Sequence, residues 1–107
     1  SRNDVWTLDD DEVRVIILNS KITTDILTFE GTAGEVISLI LELEDGNVGA
    51  LVISAEQADT LLMNYQTFGL PQTIVLGFVV PNDGTVVIRI EDDGSTRSSF
   101  NAEIERE

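Results

Sequence analysis

Apolar residues in this chain recur mostly at every second position, in short runs divided by clusters of Asp, Gly, Ser and Asn. That period buries one face of a β-strand and leaves the other in water. Residues 5–8 and 13–18, rich in β-branched side chains, predict two strands around the acidic run Asp9-Asp10-Asp11-Glu12. Residues 25–30 predict a third, which Gly31-Thr32-Ala33-Gly34 ends, and residues 35–43 a long, nearly continuous apolar strand. Asp45-Gly46 is a strong hairpin signal and predicts a return into residues 48–53. Residues 72–80 then place Ile74, Leu76, Phe78 and Val80 on one face, and Pro81-Asn82-Asp83-Gly84 turns into residues 85–91. There Val86, Ile88 and Ile90 share a face. Residues 99–105 close the chain with Phe100, Ala102 and Ile104 aligned.

One stretch breaks the alternation. Ser54 and Gln57 match a capping box, and Ala55, Ala58, Leu61, Leu62 and Tyr65 recur at helical spacing, which predicts a short helix over 55–65. The expected architecture is all-β: a two-sheet antiparallel sandwich, jelly-roll-like, of about eight strands with one short helix. With 107 residues and no linker or internal repeat, residues 1–107 are expected to form a single domain.

Composition narrows the chemistry. The chain has no cysteine and no histidine, and Lys21 is its only lysine. Thiol nucleophiles, disulfides, Ser-His-Asp catalysis and the usual zinc ligands are therefore excluded, and a metal site would need oxygen ligands. Asp and Glu number 20 against 6 Lys and Arg, a formal charge of −14. Such a surface repels phosphate backbones and anionic membranes, so no nucleic-acid partner is expected. No run approaches the roughly 18–20 apolar residues of a membrane span. Glu42 with Glu44 could suggest a glycosidase pair, but abundant acids place carboxylates about 5–10 Å apart by chance. No enzymatic activity is expected.

Two stretches resemble a known family. DILTFEGTAGEVISLIL, residues 25–41, is similar to the strand, Gly-x-x-Gly turn and strand of bacterial pre-peptidase C-terminal domains. PNDGTVVIRIEDDGSTRSSFNAEIE, residues 81–105, resembles the closing hairpin of that family, although Val86 and Val87 stand where an aromatic is usual. The resemblance implies a secreted, non-catalytic β-sandwich attached to exported enzymes. Some members bind insoluble substrates such as collagen or chitin, and some bind calcium near the start of the domain.

The run at residues 9–12 is the leading calcium candidate, since calcium takes six to eight hard oxygen ligands. The resemblance implies that Asp25 approaches it, so Asp9, Asp11, Glu12 and Asp25 form the candidate ligand set. The competing reading is a solvated turn that keeps a strand edge from pairing. Asp92 and Asp93 are a second candidate binding cluster, which turn preference before Gly94 explains equally well. Trp6, the only tryptophan, is a candidate aromatic contact for a ligand or else a core residue. Two function classes follow. The first is an extracellular or cell-surface accessory module, with calcium as its possible cofactor, that attaches an exported protein to a polymer or protein surface. The second is a structural subunit of a filament, fibre or virion. In that class the partners are copies of itself, and residues 36–41 and 74–80 supply the contacting edges.

Overall fold

The computed structural model describes the backbone of residues 5–7 and the whole of residues 12–69 and 72–107. Among them lie nine strands and no helix: β1 (Val5–Thr7), β2 (Arg14–Leu18), β3 (Thr24–Gly31), β4 (Val36–Gly46), β5 (Ala50–Gln57), β6 (Thr60–Phe68), β7 (Thr73–Val79), β8 (Gly84–Asp92) and β9 (Ser98–Arg106). They form a five-stranded sheet in the order β1-β3-β8-β5-β6 and a four-stranded sheet in the order β2-β9-β4-β7. The all-β sandwich expected from the alternation is present. Its pairing is antiparallel except at one edge, where β1 runs parallel to β3. From β2 to β9 only the β5–β6 connection stays within one sheet, and the others cross between sheets in jelly-roll order.

The helix expected over 55–65 is replaced by that hairpin. β5 continues to Gln57, the chain turns through Ala58, whose φ is 52°, and β6 returns from Thr60. Opposite Ala55 and Glu56 the register shifts, because Ala55 pairs with Met63 whereas Glu56 pairs with Leu61. Leu62 is thus an extra residue, a bulge that slips the alternation by one place. Two β phases joined across a bulge and a tight turn imitate the three-to-four residue spacing of a helix.

The hairpin expected at Asp45-Gly46 is also absent. Gly46 has the positive φ expected of a turn residue, +82°, but there the chain leaves the four-stranded sheet for the five-stranded one. A Cβ on Gly46 would collide with the carbonyl of Arg97. Glycine is needed because two backbones meet at that crossing. The closing pair of strands is likewise no hairpin, for β8 pairs with β3 and β5 while β9 pairs with β2 and β4.

Alternation fills the space between the sheets. Leu27, Phe29, Ile37, Leu39, Leu41, Ile53, Val86, Ile88, Ile90, Phe100 and Ala102 are all buried, and Phe29 meets Phe78 with ring centroids 6.4 Å apart. Each large side chain removed from water contributes roughly 1.5–3 kcal/mol. At the end of the sandwich where β9 finishes, Arg106 Nη1 donates to both carboxylate oxygens of Glu35, at 2.7 and 2.8 Å. Its guanidinium lies over the Phe29 ring, 5.3 Å from the centroid, and Nη2 donates to the carbonyl of Glu30. This half-buried ion pair closes the core at that end, where the two sheets meet.

Candidate functional site

The outer face of the five-stranded sheet carries charged, polar and apolar side chains together. Its inward positions are buried and its outward positions alternate with them along β3, β8 and β5. Register sets the rows. Ile26, Arg89 and Ser54 stand side by side with Asn64 beyond, and Thr24, Glu91 and Val52 lie next to them with Gln66 beyond. Arg89 is held between two carboxylates, 3.7 Å from Glu56 and 3.8 Å from Glu91, with about two-fifths of its side chain exposed. Ion pairs this open contribute little to stability. They do set out charged and neutral hydrogen-bonding groups in a line.

At the end of this face Phe68 pairs with Ala50 and is 91% exposed. Beside it lies a cavity of about 260 Å³ lined by Ala50, Leu51, Val52, Gln66, Thr67 and Phe68. Phe29, Phe78 and Phe100 are core residues, and Tyr65 packs against the core. Phe68 is therefore an aromatic ring that folding leaves in water. The sequence does not single it out, because residues 55–65 read as helical and no expected strand carries Phe68. Its polar surroundings, Gln66-Thr67 before it and Gly69 after, were the available signal. Chemically this face offers a flat ring for apolar or stacking contact, amides and a hydroxyl for hydrogen bonds, and one guanidinium.

The structure places Asp92 and Asp93 at the same end of the sheet, across β5 from Phe68, as a clamp. Gly49 N–H donates to Asp92 Oδ1 at 3.0 Å and Gly94 N–H to Oδ2 at 3.3 Å, with Asp92 itself buried. Ala50 N–H donates to Asp93 Oδ2, while the Ser95 N–H and hydroxyl both donate to Oδ1, at 2.9 and 2.6 Å. The Ser95 hydroxyl, then the Ser95 and Ala50 amides, hold the Asp93 carboxyl below the usual carboxylate range. Two of the four oxygens thus tie the β8–β9 connection to the start of β5, and the other two brace the connection itself. A ligand there would have to replace those donors.

Of the candidate calcium ligands, Asp9 and Asp11 lie outside the described residues, as does the Trp6 side chain. The Trp6 backbone pairs with Leu27. Glu12 is exposed just ahead of β2. Asp25 is nearly buried on β3, where its Oδ1 accepts the Ile26 N–H at 3.0 Å. Among the described residues no three acids converge in a way that could hold a metal ion, so Glu12 and Asp25 do not form a site by themselves. Glu42 lies between Thr73 and Asn101 on β4, and Glu44 accepts the Asn101 amide at 2.7 Å. Among the described residues no helix is long and apolar enough to cross a membrane.

A scan against protein-family models finds no match. A search of curated proteins finds none either. The fold does match a solved structure, the pre-peptidase C-terminal domain of collagenase from Bacillus anthracis. The TM-score is 0.77 over 98% of this chain and 98% of that one, at 12% sequence identity. The chain therefore resembles the pre-peptidase C-terminal domains in its fold, as residues 25–41 and 81–105 suggested.

Proposed function

We propose that this domain is a non-catalytic accessory module of an exported protein, which attaches that protein to an extracellular polymer or protein surface through the outer face of its five-stranded sheet. The observation that carries the reading is Phe68, an exposed ring beside a small cavity and next to rows of amide, hydroxyl and guanidinium groups. Burying such a ring against a ligand recovers apolar area that folding left exposed. The likeness to a domain of a collagenase supports an accessory role beside an enzyme. The residue inventory supports the absence of catalysis, for histidine and cysteine are missing.

The test is retention on insoluble polymers, polysaccharide and fibrous protein, by wild type and by Phe68→Ala. Wild type is expected in the pellet with at least one polymer, and Phe68→Ala in the supernatant with its melting temperature unchanged. Equal retention of the two forms would move the contact to another face. Calcium belongs to the same proposal, on the charge of Asp9, Asp11 and Glu12. Millimolar calcium, but not magnesium, is expected to raise the melting temperature, and Asp9→Asn with Asp11→Asn to remove the rise. A ligand at 100 times its dissociation constant stabilises by roughly 2.7 kcal/mol.

A further inference from the structure

No charged residue occurs between Asp59 and Asp83, in a chain whose net charge is −14. That stretch supplies β6 and β7, which are the end strands of the two sheets and touch each other. One flank of the sandwich is therefore neutral, and on it Leu61, Phe68, Val75 and Val79 are each more than half exposed. Edge strands of monomeric proteins are usually guarded by lysine, proline, inward charges or a bulge. β7 has none of these, and its register with β4 runs unbroken from Thr73 to Val79.

The direction of its backbone groups follows from its neighbours. Val80 donates its N–H to Glu35 and accepts from Gly34, while the Gln72 carbonyl accepts from Leu43. By strand alternation the even-numbered residues face β4, so the N–H and C=O groups of Thr73, Val75, Gly77 and Val79 point the other way. Among the described residues no strand pairs with that side.

Gly77 adds an independent observation. Its φ is not positive, and a Cβ there would meet only the Ile37 carbonyl, 3.9 Å away. Neither conformation nor crowding within the domain demands glycine. In a strand, glycine often marks the close approach of another backbone.

We infer that β7 pairs antiparallel with β7 of a second copy, about a two-fold axis at Gly77. A symmetric pairing needs a strand that reads alike from both directions, and Ile74-Val75-Leu76-Gly77-Phe78-Val79-Val80 does so, apolar on both sides of the glycine. In this register Gly77 faces its own copy and Val75 faces Val79, each pair exchanging both main-chain hydrogen bonds. Thr73 falls opposite Pro81, which has no N–H, and the ladder ends there. Val36, Ile40, Val75 and Val79 of both copies then form one apolar surface across a continuous sheet. The neutral flank is where two molecules this acidic meet with least repulsion. The inference is independent of the Phe68 reading, because polymer binding and self-association are measured separately.

The test is sedimentation across a concentration series at physiological salt, with wild type and the double variant Val75→Glu, Val79→Glu. The wild-type mass is expected to rise toward twice that of the monomer. The variant, which sets glutamate against glutamate, is expected to stay monomeric with a retained cooperative melt. A second variant needs no dissociation constant. The chain has no cysteine, so Gly77→Cys can bridge only to another copy. At the axis the two Cα atoms would stand about 5.5 Å apart, within the roughly 4.4–6.8 Å that a disulfide spans. Gly77→Cys is expected to oxidise to a covalent dimer at least tenfold faster than Glu105→Cys, on the same outer face. Wild type that stays monomeric up to about 1 mM, a dimer that survives the double glutamate variant, or equal oxidation of the two cysteine variants would each overturn the inference.

Discussion

Asp92 and Asp93 are adjacent in the chain and do different things. Asp92 is buried and accepts two backbone amides, so Asp92→Ala strands Gly49 N–H and Gly94 N–H. The expected loss is about 1–3 kcal/mol in urea unfolding. Asp93 is open to solvent, and its effect is read better from titration. Its folded pKa lies below the ordinary 3.8, so what it adds to stability is complete above that value and fades as pH falls through the lower folded one. The side-chain resonance of Asp93 should therefore titrate below 3.8, and Ser95→Ala should move it back up by removing the hydroxyl donor. An unchanged midpoint in Ser95→Ala would leave the lowering to the backbone amides alone. Neither role was legible in the sequence. A pair of acids before glycine announces a turn and its local donors at Gly94 and Ser95, but the two donors that join it to β5 come from Gly49 and Ala50, more than forty residues away.

At the scale of elements, the faces were legible and the connections were not. Val86, Ile88 and Ile90, or Phe100, Ala102 and Ile104, needed only the two-residue period of an extended chain to be read as inward. Asp45-Gly46 failed because a local pattern says that the backbone bends and not which strand lies beyond the bend. Residues 55–65 failed because the bulge at Leu62 and the turn at Ala58 slip a β alternation into helical spacing. The strongest turn signal serves a crossing between sheets, while the chain's one described hairpin turns at Ala58, a residue poorly suited to positive φ. Ala58→Gly is accordingly expected to stabilise the domain by about 0.5–1 kcal/mol, since the left-handed region costs an alanine about 1–2 kcal/mol and glycine returns part of that as chain entropy. The same comparison separates two glycines. Gly34 and Gly46 both have positive φ, but a Cβ on Gly34 meets nothing within 4 Å while one on Gly46 strikes Arg97. Gly34→Ala should cost about 1–2 kcal/mol, and Gly46→Ala clearly more, in parallel denaturation curves.

For the whole molecule, charge and topology set the behaviour. Twenty acids against six bases repel one another in the folded state more than in the expanded chain. Raising salt from about 10 mM to 150 mM shortens the screening length from about 30 Å to about 8 Å. The melting temperature is expected to climb by a few degrees with sodium chloride, and a flat or falling profile would mean that ion pairs such as Arg106–Glu35 outweigh the repulsion. This much could be read from composition. Where the neutral flank lies could not, because β6 and β7 become one surface only when they arrive at the same side of the sandwich.

The strand order carries one more consequence. β9 is the last strand in the chain and lies between β2 and β4; β8, the last but one, lies between β3 and β5. Each sheet thus receives an inner member only after the strands that flank it, and without β8 and β9 the described pairings are reduced to β1 with β3, β5 with β6 and β4 with β7. A polypeptide wired in this way holds separate strand pairs until β8 and β9 knit them into two sheets, so the sandwich closes late along its own chain order.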